Sequence, residues 1–110
     1  MKQKKIFVLV GHPDSDSLSS QFATSYVYGA KERSHVVRRT NLGELSFDPI
    51  LHKGYKVRQE LEPDLLRLQE DIKWADHFVI IYPAWWSTMP ALLKAMFDRI
   101  SLPKFAYEFY

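Results

Sequence analysis

The chain of 110 residues predicts an α/β fold built on a doubly wound parallel sheet, and three observations carry that prediction. Two short runs, residues 6–10 and 78–82, are apolar without alternation, the mark of strands covered on both faces. Stretches of helical periodicity separate the runs, in the order β-α-β-loop-α-β-α. Right-handed crossovers then place the first strand in the middle, the second on one flank and the third on the other.

The first strand is Ile6-Phe7-Val8-Leu9-Val10, bounded by lysines on one side and Gly11-His12-Pro13 on the other. Ser15, Asp16 and Ser17 then offer N-caps for a helix. Leu18, Phe22, Tyr26 and Ala30 recur every four residues, predicting an apolar face that ends at Lys31-Glu32-Arg33. His35-Val36-Val37-Arg38-Arg39-Thr40 is more polar and suits an edge strand, with Arg38 and Arg39 read as solvated charges. Residues 41–60 hold Gly43, Pro49, Gly54 and mixed charge, and read as a long surface connection. Pro63-Asp64 opens a second helix, since proline at the first helical position loses no hydrogen bond. Its buried stripe is Leu65, Leu68, Ile72 and Ala75, its wet face Glu70, Asp71 and Lys73, and Trp74 is expected in the core. Glu60, Glu62 and Asp64 read as favourable charges near its start. Phe78-Val79-Ile80-Ile81-Tyr82 is the third strand, closed by Pro83. Pro90 starts a third helix with the stripe Met89, Leu92 or Leu93, Met96 and Ile100, and Pro103 ends it.

In such a sheet the strand order is 2-1-3, and ligands bind where the first and third strands end. The loops that meet there are residues 11–18 and 83–90. Three strands leave a doubly wound sheet incomplete, with an apolar third strand at an uncovered edge. The expectation is one domain over residues 1–110 that forms the N-terminal portion of a longer fold.

Fifteen Lys+Arg against thirteen Asp+Glu give +2, too small an imbalance to be a nucleic-acid or membrane footprint. With no cysteine there is no disulfide scaffold, thiolate metal site or cysteine nucleophile. The apolar run after Lys2, Lys4 and Lys5 is shorter than a signal-peptide core, and no stretch reaches the roughly 18 apolar residues of a membrane span. The expected compartment is the cytoplasm. His35, His52 and His77 lack ligand-like spacing, so no metal site is expected.

The loop Gly11-His12-Pro13-Asp14-Ser15-Asp16-Ser17-Leu18-Ser19-Ser20 delivers a helix N-terminus to the strand end. Unpaired N–H groups and the positive end of the helix dipole favour a phosphate there, with serine hydroxyls as further donors. Helix capping alone explains the same serines, and Asp14 and Asp16 oppose an anion unless they turn away. Neither G-x-x-x-x-G-K-[ST] nor G-x-G-x-x-G is present. In Tyr82-Pro83-Ala84-Trp85-Trp86-Ser87-Thr88-Met89-Pro90, two adjacent indoles are expected to diverge, one entering the core and one staying exposed. A packing or subunit-interface pair is one reading; a platform for a flat heterocycle is the other. Beside a phosphate cradle the second gains, and flavin mononucleotide has the required shape.

These residues resemble the flavodoxin-fold NAD(P)H:quinone oxidoreductases, the DT-diaphorases and their shorter bacterial relatives. The resemblance rests on Gly11-His12-Pro13 with Ser17, on Phe47-Asp48-Pro49-Ile50 and on Trp74-Ala75-Asp76. It rests most of all on residues 82–94, followed by Phe97-Asp98-Arg99 and Phe105-Ala106-Tyr107. It implies flavin phosphate contacts from His12, Ser17, Leu18 and Ser19. It also implies isoalloxazine contacts from Pro83, Ala84, Trp85, Trp86 and Ser87, and substrate-side aromatics at Tyr107 and Phe109. FMN is the implied cofactor, FAD the alternative, in a homodimer that passes hydride from NAD(P)H to a quinone. No residue is implied as a catalytic acid, base or nucleophile. The competing expectation is a non-catalytic interaction module, similar to the ancillary subunits of potassium efflux systems. A receiver-like signalling domain is discounted, because Pro83 stands where its phosphoacceptor aspartate would follow the third strand.

Overall fold

The computed structural model describes residues 2–102. Its elements are β1 (Lys5–Val10), α1 (Leu18–Glu32), β2 (Val36–Asn41), α2 (Pro63–Trp74), β3 (His77–Ile81) and α3 (Ala91–Ile100), with a 3-10 turn at Leu42–Glu44. The strands are parallel in the order β2-β1-β3, as the alternation of runs and helices predicts. Lys5 pairs with Val36 at one end of the sheet, and Val10 pairs with both Asn41 and Ile81 at the other. Tyr82 lies one residue past β3 and is exposed.

Strand alternation splits the core in two. Phe7 and Leu9 face α2 and α3 and join Leu42, Leu65, Leu68, Leu93, Met96 and Ile100. Ile6, Val8 and Val10 face α1 and join Ala23 and Ala30. Phe7 to Val10 are fully buried, each contributing about 1.5–3 kcal/mol by loss of apolar surface from water. Phe7 also stacks on Phe78 of β3, centroids 5.5 Å apart. β3 itself is only half-buried beyond its exposed first residue, and no strand lies on its outer edge among the described residues.

Three expectations about packing need correction. In α1 the buried positions are Ser19, Ala23 and Ala30, whereas Leu18, Phe22 and Tyr26 are exposed. Ala30 is buried as the predicted face requires, but over the first turns the buried positions lie one residue along from Leu18 and Phe22. Small side chains let the helix lie close on the sheet, and the large residues are turned outward. Arg38 and Arg39 are not simply solvated. Arg38 pairs with Asp71 at 3.0 Å and stands 4.0 Å over the half-buried Trp74 ring, while Arg39 binds the first turns of α1.

The 41–60 connection is tied down. Leu42 is fully buried, and Arg99 of α3, 1% exposed, donates to the carbonyls of Asp48 and Glu60 and to Glu62. Glu62 therefore does more than favour a helix start: it neutralises a buried guanidinium and accepts the Asp48 N–H at 2.5 Å. In α3 the buried leucine is Leu93, and the helix ends at Ile100; Pro103 lies outside the described residues. Gln69 of α2 donates to the Ile100 carbonyl at 3.0 Å and joins the two helices on that face. No helix among the described residues is long and apolar enough to cross a membrane.

Candidate functional site

The site follows from the register of β1 and β3. Val10 and Ile81 are partners, and the Gly11 N–H continues the ladder to the Ile81 carbonyl at 2.8 Å. Both loops therefore leave the same rim of the sheet side by side. Across the gap the His12 imidazole and the Trp85 indole meet edge to face, with centroids 5.2 Å apart.

The first loop is built from small, polar turns. The Asp14 N–H donates to His12 Nδ1 at 2.9 Å, so the neutral ring carries its proton on Nε2. The Asp16 N–H donates to Asp14 Oδ1 at 2.9 Å, an Asx turn that folds this carboxylate back on its own loop. Ser17, in extended backbone, caps α1: its Oγ accepts the Ser20 N–H at 3.2 Å. The N–H groups of Leu18 and Ser19 have no partner among the described residues, and the first turn holds no acid. Gly43 lies under this loop, where a Cβ would stand 2.1 Å from the Pro13 carbonyl oxygen.

The second loop turns back on itself. Trp85 and Thr88 exchange both backbone hydrogen bonds, at 2.8 and 3.1 Å, around Trp86 and Ser87 at φ of +52° and +63°. Positive φ at both central positions is the geometry of a type I′ turn, usually taken by Asn and Gly. Neither indole enters the core, contrary to expectation: Trp85 is 43% exposed and Trp86 99%. A two-residue turn holds Trp86 at its tip, away from the sheet, and Trp85 against His12 at its base.

Of the residues singled out in the sequence, His12, Ser17, Leu18 and Ser19 share the first loop and helix start, and Pro83, Ala84, Trp85, Trp86 and Ser87 the second loop. Tyr107 and Phe109 lie outside the described residues. Cavities of about 330 Å³ (lined by Leu51, Tyr55 and Leu102) and 380 Å³ (by Ile6, Tyr26 and His35) lie away from this rim. The rim itself is an open platform. Sequence reasoning missed Arg39, whose guanidinium reaches Ser20 and Thr24. No local signal marks it, because its partners are brought near only by the crossover from α1 to β2.

The donors present fit a phosphate: unpaired N–H groups at a helix whose first turn carries no acid, with the Asp14 carboxylate folded back on its own loop, beside an imidazole whose Nδ1 is already engaged. The exposed indoles beside them fit a flat ring. Phosphorylated flavin combines both features.

Comparison with known proteins agrees with this architecture. An uncharacterised NAD(P)H oxidoreductase, YcaK, of Escherichia coli is 28% identical over 105 residues, covering 91% of this chain and 54% of the relative. An uncharacterised NAD(P)H oxidoreductase of Haemophilus influenzae is 30% identical over 105 residues, covering 92% and 52%. The structure of an NAD(P)H:quinone oxidoreductase from Methanothermobacter marburgensis superposes with a TM-score of 0.77 at 28% identity, covering 91% and 54%. The chain thus spans about half the length of the curated relatives it matches. With a family model matched over residues 4–110, the chain belongs to the Flavodoxin_2 family of flavodoxin-like fold.

Proposed function

We propose that this chain is the flavin-holding part of an NAD(P)H oxidoreductase that reduces quinones or similar acceptors, with FMN as cofactor. The observation that carries the reading is the meeting of His12 and Trp85 at the rim where unpaired α1 N–H groups and two exposed indoles converge. The names of the relatives, NAD(P)H oxidoreductase and NAD(P)H dehydrogenase [quinone], point the same way.

When bound, a flavin would supply two-electron redox chemistry between NAD(P)H and the acceptor. The chain's own residues bind and orient. The N–H groups of Leu18 and Ser19 and the Nε2–H of His12 hold the phosphate, at the positive end of the α1 dipole. Ser17 fixes that helix end by capping Ser20. Pro83, Ala84, Trp86 and Ser87 offer backbone groups to the ring edge, those of Trp85 being engaged with Thr88, while the Trp85 and Trp86 rings cover apolar ring surface and exclude water. One helix start matches one phosphate, which favours FMN over FAD. The same reading places the protein in the cytoplasm as a homodimer, whose second copy covers the exposed Trp86.

The test is an absorption spectrum of the purified chain with and without added FMN, read against NAD(P)H turnover with a quinone. A yellow protein that releases FMN on denaturation is expected. A colourless protein that fails to bind added FMN overturns the reading. In that case the exposed Leu18, Phe22 and Tyr26 favour a partner-binding module without catalysis.

A further inference from the structure

The Arg39 guanidinium is committed to the start of α1. Its Nη2 donates to Ser20 Oγ at 2.8 Å and to the Ser20 carbonyl at 3.2 Å, and its Nη1 to Thr24 Oγ1 at 2.7 Å. Nε donates to Asn41 Oδ1 at 3.3 Å. All of these acceptors are neutral. Glu44 is reached only through Asn41, whose Nδ2 donates to Glu44 Oε1 at 2.8 Å, and among the described residues no carboxylate pairs with Arg39 directly. Arg38 next to it does pair, with Asp71 on the other face of the sheet. Half-buried β2 thus carries an arginine whose charge is left unneutralised at the first turn of α1. That turn presents the free N–H groups of Leu18 and Ser19, and its Ser20 N–H is capped by Ser17. An unpaired cation in a partly desolvated place costs stability unless an anion arrives.

We infer that Arg39 is a positioning residue for the phosphate-binding turn. It fastens Ser20 and Thr24 to β2 and adds a fixed positive charge, which makes the site select phosphorylated over phosphate-free flavin. This rests on the flavin reading above. It concerns affinity for the phosphate rather than the electron-transfer chemistry.

The experiment compares FMN with riboflavin, which lacks the phosphate, by quenching of flavin fluorescence. The proteins are the parent chain, Arg39→Gln, Arg39→Lys and Arg33→Gln, a control at the far end of α1. Circular dichroism checks that each is folded. Arg39→Gln is expected to weaken FMN binding about tenfold and riboflavin binding less than about twofold. Arg39→Lys should keep most of the FMN affinity, and Arg33→Gln all of it. Equal weakening of both flavins by Arg39→Gln assigns the arginine a purely structural role and overturns the inference. So does an unchanged FMN affinity, or a parent chain that binds both flavins equally. If the parent binds neither flavin, the flavin reading fails by itself, and inorganic phosphate decides the role of Arg39. Thermal stabilisation by phosphate in the parent but not in Arg39→Gln supports the charge-selective turn; no stabilisation in the parent, or equal stabilisation of both proteins, overturns it.

Discussion

His12 and Trp85 lie far apart in the sequence, yet their rings stand 5.2 Å apart, edge to face. The contact exists because β1 and β3 are neighbours in register, so the first residues beyond each strand must share one rim. Each partner is also held from behind. The Asp14 N–H fixes the imidazole, and the paired Trp85–Thr88 backbone fixes the indole.

This arrangement separates the two tryptophans experimentally. Trp86 is 99% exposed, so Trp86→Ala should leave urea stability within about 0.5 kcal/mol of the parent. FMN affinity should nevertheless fall about tenfold, the loss expected when one aromatic wall is removed from a flat ligand. His77 sits at the opposite end of the sheet, paired with Ile6, and His77→Ala should leave FMN affinity unchanged. Fluorescence titration measures both, and equal losses in the two variants would put the site elsewhere.

Left-handed backbone at Ser87 gives a second prediction. A β-branched side chain at φ of +63° crowds its own carbonyl, so Ser87→Val should destabilise the loop by about 1–2 kcal/mol. Ser87→Gly accepts the same φ and should stay within about 1 kcal/mol of the parent, relief of strain offsetting the greater freedom of the unfolded chain. Paired denaturation curves decide it. A valine variant as stable as the glycine variant would mean that the turn is not held in this form.

The uneven legibility of the fold has a physical basis. β1 was plain because its whole apolar run is buried, and the topology followed from it, since parallel neighbours and right-handed crossovers leave little choice. The buried face of α1 is less legible, because hydrophobic size is a poor guide to it. At a close helix–sheet contact small residues are the ones inside; Ala30 is legible, but Ser19 and Ala23 are weak signals beside Leu18, Phe22 and Tyr26. At the rim, the loops were legible from their turn residues and adjacent tryptophans. The Arg39 contacts were not, since an arginine in a polar strand looks solvated until the strand is placed beside α1.

Arg99 supplies a third prediction. It is 1% exposed, its Nε has no partner, and it serves two carbonyls and Glu62 from the last turn of α3. Arg99→Ala removes all of these donors at once and opens a cavity. A loss of about 3 kcal/mol is expected, the low end for broken buried pairs because Glu62 keeps some contact with water. Urea denaturation measures it. A loss below about 1 kcal/mol would show that Arg99 does not hold the 41–60 connection in place.

The acid limb of the stability curve follows from the same contacts. Hydrogen bonding from the Ile50 N–H, and then from His52, holds the Asp48 carboxyl below its ordinary 3.8. Burial pushes Glu62 upward, but the Arg99 and Asp48 N–H bonds outweigh it and hold it below its ordinary 4.5. Asp64 is lowered by the Ser46 N–H, and Asp76 by the Lys5 N–H. Each group binds a proton more readily in the unfolded chain, so stability rises with pH across the window between its folded and unfolded values. Their contributions are complete above about pH 5 and fall away as pH drops through 4.5 and 3.8 toward the lower folded values. Glu62→Gln removes one titrating group, and its stability should change less steeply between pH 5 and 3 than that of the parent. Equilibrium denaturation at stepped pH checks this. Equal slopes for the two proteins would mean that Glu62 is not held ionised by Arg99.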